Sequence, residues 1–163
     1  MKWHTFYGRQ AEMPAPDFCL TSDAGDTICD SVYRQLEKQV LAFPAGTAPA
    51  EWQPLLAAFS DHAEAWHQQG AEALALLPAS AETIKDLGRS LPYHFPLLAD
   101  MGAQVRHAYD RLLGEDAGTG HLVFVLDTFG APYAAAVNAD PGREELYDQI
   151  DEWLRFIAIQ CPE

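Results

Sequence analysis

The feature that most narrows the fold is a strand–helix–strand succession between residues 39 and 79. "QVLAF" (39–43) is short, apolar and closed by a proline, and it reads as a buried strand. After a small-residue loop, Trp52, Leu55, Leu56, Phe59, Ala63 and Trp66 recur at spacings of three and four, the apolar stripe of an amphipathic helix. Pro54 is tolerated in a first turn, which puts the helix start near Glu51, and Gly70 is the kind of residue that follows a helix end. "AEALALLPA" (71–79) is apolar nearly throughout and bounded by Gly70 and Pro78, so it reads as a second strand parallel to the first. Such a crossover is right-handed and commits the chain to a sheet covered by helices.

The rest of the chain extends this unit. Upstream, residues 16–29 read as a hairpin: Phe18 and Leu20 alternate, Asp23, Ala24, Gly25 and Asp26 supply the turn, and Thr27, Ile28 and Cys29 return. Downstream, Ser80 is placed to cap a helix over "AETIKDLGRSL", with Glu82 in its first turn. "FPLLAD" is a short extended segment, and "GAQVRHAYDRLL" a helix with Val105, Tyr109, Leu112 and Leu113 on one face. "HLVFVLD" is the strongest strand, "TFG" turns it into "APYAAAV", and a last helix runs from about Gly142 to Ile159. It sets Leu146, Ile150, Trp153, Leu154 and Ile157 on one side. The expected architecture is one α/β domain over residues 1–163, a mixed central sheet with helices on both faces and an N-terminal β-hairpin.

Composition removes several functions. A net charge of −14, with the ten basic residues scattered, argues against binding nucleic acid or an anionic membrane surface. No apolar run approaches the ~20 residues of a spanning helix, and "MKWHTFYGRQ" lacks the apolar core of a signal peptide. A cytoplasmic location is the expectation. Cys19, Cys29 and Cys161 are odd in number and lack metal-site spacing, so reduced thiols packing as small hydrophobes are expected at Cys19 and Cys29. His62 and His67 stand five apart, off a common helix face, and His94 and His107 are isolated. No metal site and no cofactor is expected, since zinc spacings, a P-loop and the dinucleotide glycine pattern are all missing. Trp52, Trp66 and Trp153 sit on helical stripes and read as core, while Trp3 packs the N-terminal arm.

The strand-to-helix corner "VLAFPAGTAPAEW" (40–52) lies where open α/β sheets bind ligands, beyond the carboxyl end of a strand. Its neighbours in sequence carry a resemblance. "APDFCLTSDAGDTI", "VLAFPAG", "GAEALALLPAS", "FPLLADMGAQVRHAY" and "HLVFVLDTFG" follow in the order of the segments of the peroxiredoxins, the alkyl hydroperoxide reductase and thiol-specific antioxidant family of the thioredoxin-like fold. The resemblance covers roughly Ala15 to Val137. It implies a thioredoxin-like fold, thiol-dependent reduction of peroxides or disulfides, a thiol-redox partner protein and a homodimer.

Peroxide reduction needs a thiolate nucleophile, held by a helix N-terminus, a hydroxyl and an arginine that lower the thiol pKa. At the corner Thr47 can fill the hydroxyl role, but the cysteine position is Ala50 counted from Thr47, or Glu51 counted from Pro44. Read as a dithiol motif, the stretch is "TAPA", without either thiol. His121 stands where the family's strand arginine is expected. The resemblance therefore implies a redoxin whose peroxidatic site has lost its nucleophile, leaving a binding or regulatory module. The candidate pocket is Pro44, Thr47, Ala50, Glu51 and His121. Within it Glu51 and His121 form either a general-base or ligand-binding pair, or a salt bridge filling the vacated space. The alternative is a thiol oxidoreductase using an unconventional cysteine. Its candidates are Cys161, otherwise an inert terminal thiol, or else Cys19 or Cys29.

Overall fold

The computed structural model describes residues 1–6, 15–91 and 93–160. Its strands are β1 (Lys2–Thr5), β2 (Cys19–Thr21), β3 (Thr27–Cys29), β4 (Lys38–Phe43), β5 (Ala71–Leu77), β6 (Leu97–Ala99), β7 (Leu122–Leu126) and β8 (Pro132–Val137). The helices are α1 (Pro49–Gln68), α2 (Ala81–Ser90), α3 (Gln104–Leu113) and α4 (Glu144–Gln160). Six strands form one sheet in the order β1-β8-β7-β4-β5-β6, and β2 and β3 pair separately. Central β4 runs parallel to β5 and antiparallel to β7, so the sheet is mixed as expected.

Period-two alternation splits the core between the two faces. Val40 and Ala42 of β4, Ala73 and Ala75 of β5, and Val123 and Val125 of β7 meet α1, α2 and α4. Leu41, Phe43, Leu74, Leu76, Leu122 and Phe124 point the other way, where Tyr109 and Leu113 of α3 and Phe18 before the hairpin cover them. The stripe of α1 is bulky (Trp52, Phe59 and Trp66 are fully buried) and the strands beneath it offer alanines, so the volumes are complementary. Ser80 caps α2 by accepting the Thr83 N–H at 3.2 Å. Gly70, at φ +74°, closes α1 in the left-handed region. Among the described residues no helix is long and apolar enough to cross a membrane.

Three features depart from the sequence reading. The N-terminal arm is a strand: β1 pairs antiparallel with β8, Trp3 opposite Ala136. α1 begins at Pro49, two residues before Glu51, so Pro54 sits in its second turn. Pro54 has no N–H for the Ala50 carbonyl, and Ala50 is exposed, where solvent can take that carbonyl. Cys19 and Cys29 are not reduced thiols but a disulfide, S–S 2.05 Å, because the β2–β3 register sets them directly opposite each other.

Candidate functional site

The corner is built where β4 runs out and α1 begins. Pro44 is buried, and the chain then turns through Gly46, whose φ of +105° only glycine adopts without strain. A Cβ at Gly46 would run into the Glu51 side chain, which lies across it. Trp52, buried on the first turn of α1, donates its indole N–H to Gly46 O at 3.0 Å. The Ala45 N–H donates to Nδ1 of His121 at 2.8 Å. The imidazole at the start of β7 thereby holds the corner to the neighbouring strand.

Arg106 of α3 ties the same region together from below. Its guanidinium donates to Phe43 O at 3.1 Å, Gly118 O at 3.0 Å and Gly120 O at 2.8 Å, and reaches Asp110 at 3.4 Å. Asp100, 2% exposed, accepts the Val105 and Arg106 backbone N–H groups, both at 3.0 Å. Those two bonds satisfy free N–H groups of the first turn of α3, from which Arg106 projects. Of the five guanidinium N–H groups, one on Nη1 has no bond among these contacts.

Two adjoining hollows open at the corner. The first, about 170 Å³, is lined by Phe43, Pro44, Asp100, Ala103, Arg106 and Thr119 among others. The second, about 460 Å³, is lined by Glu51, Gly120, His121, Asn138 and Ala139, with Ala45, Gly46 and Thr119 common to both. Burial holds the His121 pKa below its ordinary value of 6.5, and the Arg106 charge adds to that, against opposing pulls from Asp140 and Glu51. A neutral ring with Nδ1 accepting from Ala45 carries its proton on Nε2.

The expected site residues divide accordingly. Glu51 and His121 share the second hollow, but His121 uses Nδ1 on Ala45, and among the described residues no ion pair joins it to Glu51. Pro44 belongs to the first hollow. Thr47 and Ala50 are exposed and line neither. Among the described residues no cysteine lines either hollow, and Cys161 lies outside them. Sequence reasoning missed Arg106 as the organiser of the corner. Its only local signal was Asp110 one helical turn on. No group of three or more His, Cys, Asp or Glu side chains among the described residues is arranged to hold a metal.

A mixed sheet with a strand-to-helix corner over its carboxyl edge is the thioredoxin-like arrangement. The AhpC/TSA family model matches residues 11–131, and the chain belongs to that family. Solved structures agree on the fold. Peroxidoxin BcpB from Mycobacterium tuberculosis is 19% identical at TM-score 0.71, covering 89% of this chain and 96% of its own. A Chlorobium tepidum chain described as a thiol:disulfide interchange protein DsbE is 22% identical at TM-score 0.67, with 86% and 95% covered. Plasmodium yoelii thioredoxin peroxidase I is 18% identical at TM-score 0.69, with 92% and 95% covered. At these identities the likeness is one of fold. No curated protein matches the sequence.

Proposed function

We propose that this AhpC/TSA-family protein does not reduce peroxides, and that its corner is a binding or regulatory site for a small polar ligand. One observation carries the reading: among the described residues, no sulfur lines either hollow. Breaking an O–O bond this way needs a thiolate that accepts the oxygen, and neither the Ala50 methyl nor the Glu51 carboxylate can do so. The groups present suit binding instead. Arg106 keeps a guanidinium N–H, His121 is held neutral with Nε2–H available, and Glu51 and Asn138 offer oxygen atoms. On this reading Pro44, Glu51 and His121 shape the ligand pocket, and Thr47 and Ala50, which line neither hollow, stand outside it. A cytoplasmic location and a homodimer go with the reading, and light scattering at high concentration tests the second.

The test is consumption of hydrogen peroxide and an alkyl hydroperoxide with excess dithiol reductant. The proposal expects the buffer rate. A second reading, thiol oxidoreductase chemistry with a redox partner protein through a cysteine elsewhere, has the Cys19–Cys29 disulfide in its favour. Turnover that disappears in Cys161→Ser would select that reading with Cys161 as nucleophile.

A further inference from the structure

The Cys19–Cys29 disulfide lines neither corner hollow, and the proposed ligand site makes no use of it. Cys19 is exposed and Cys29 half-buried, so an incoming thiolate has access to the Cys19 side of the bond. The hairpin that carries the pair is closed without it. Just outside the cysteines, Phe18 N–H donates to Asp30 Oδ1 and Asp30 N–H to Phe18 O, both at 3.1 Å, with Phe18 buried. At the turn, Ser22 N–H donates to Asp26 O at 2.7 Å. Asp23 fastens that turn to β6, its N–H donating to Leu97 O at 2.9 Å and its Oδ1 accepting Leu97 N–H at 3.1 Å. The disulfide acts mainly on the unfolded chain, whereas these hydrogen bonds and the buried Phe18 hold the folded hairpin directly, so the hairpin keeps its shape when the bond is reduced.

A second feature adjoins it. The loop leaving Cys29 carries Val32 and Leu36, 61% and 71% exposed. Gln35 N–H in that loop donates to Thr128 O, which sets Phe129, 62% exposed, alongside. Exposed apolar side chains on two loops joined by that bond, one of them leading directly from Cys29, offer a surface for a protein partner.

We propose that Cys19–Cys29 is a thiol–disulfide exchange site for a protein dithiol that docks on Val32, Leu36 and Phe129. The partner's thiolate attacks Sγ of Cys19, the S–S bond breaks, and Cys29 leaves as a thiolate that takes a proton from water. The partner's second thiolate then attacks its own sulfur in the mixed disulfide and releases Cys19, which is protonated in turn. Two electrons pass from the partner, now a disulfide, to the pair, now two thiols. The site is independent of the corner and of what binds there.

The experiment uses the full chain carrying Cys161→Ser, so that only this pair titrates, with dithiothreitol and a reduced thioredoxin as probes. Dithiothreitol at neutral pH should convert the pair to two alkylatable thiols with the far-UV circular dichroism unchanged, and oxidised dithiothreitol should restore the bond. Thioredoxin should act at least about tenfold faster than dithiothreitol at equal dithiol concentration. Leu36→Asp should remove most of that advantage and leave the dithiothreitol rate alone. A bond that resists reduction until denaturant is added, that unfolds the chain when cut, or that oxidised dithiothreitol cannot form overturns the proposal. Equal rates for the two reductants, or a Leu36→Asp effect equal on both, overturns the docking surface.

Discussion

The backbone N–H of Ala45 ends 2.8 Å from Nδ1 of His121, so one imidazole joins the corner after β4 to the first residue before β7. That bond exists only while Nδ1 is unprotonated, and burial together with Arg106 keeps the His121 pKa below 6.5 in the fold. The folded chain therefore binds fewer protons than the unfolded chain just under pH 6.5. Its contribution to stability is present above that pH and is lost as pH falls from there through the folded pKa. Melts between about pH 5 and about pH 7.5 should show this slope, and His121→Phe should flatten it while lowering the plateau by about 1 kcal/mol for the unmatched N–H. His67, whose pKa is raised by its hydrogen bond to Glu72, contributes with the opposite sign, and its exposure to solvent keeps that small. An unchanged slope in His121→Phe would remove His121 as the source.

Gly46 is required by its φ of +105°, and Glu51 closes over the space a side chain would take. Gly46→Ala should destabilise by roughly 1–3 kcal/mol, most of it backbone strain. Because Glu51 can swing aside and the strain cannot, the double variant Gly46→Ala/Glu51→Ala should recover only a minor part. Full recovery in denaturant titration would assign the cost to the side-chain clash instead.

Arg106 bonds carbonyls of residues 43, 118 and 120 with one planar fork. A lysine brings the charge but not the fork, so Arg106→Lys should cost about 2–3 kcal/mol despite its conservative appearance. Hydrogen exchange should rise at the corner and at 118–120 and stay unchanged in α4. Exchange rising uniformly across the fold would show that Arg106 is not a local organiser.

Gln39 lies fully buried in central β4, and neither its Oε1 nor its Nε2 has a hydrogen-bond partner among the described residues. An unpaired buried amide costs more than an apolar side chain of similar volume. Gln39→Met should therefore raise stability by about 1 kcal/mol, seen as a higher denaturation midpoint at constant m-value. A lower midpoint would mean the amide is satisfied in solution.

How far the sequence showed all this depended on whether a residue's partners were near it in the chain. The β4–α1–β5 unit was legible because Pro44, Gly70 and Pro78 punctuate it and its helix stripe is long. β1 was not, since "KWHT" is four mixed residues that become a strand only by pairing with β8, more than a hundred residues on. The disulfide hid behind an odd count of cysteines, although the hairpin itself held the signal. Pairs 19/29, 20/28 and 21/27 share one midpoint, and a two-stranded register read from the turn puts sulfur opposite sulfur. Glu51 and His121 were placed at one hollow from the resemblance, and the structure sets both along it. The bonds of Arg106 to distant backbone carbonyls, and of His121 to Ala45, leave no mark in side-chain pattern.

The central claim is an AhpC/TSA framework whose corner carries no peroxidatic sulfur, and peroxide turnover tests it most directly. Purified protein, Cys161→Ser and Cys19→Ser/Cys29→Ser would be compared for hydrogen peroxide and alkyl hydroperoxide consumption under excess dithiol. The account predicts the buffer rate for all three. Turnover well above buffer in the unaltered protein, abolished by either cysteine replacement, would contradict it and make this chain a thiol peroxidase with a relocated nucleophile.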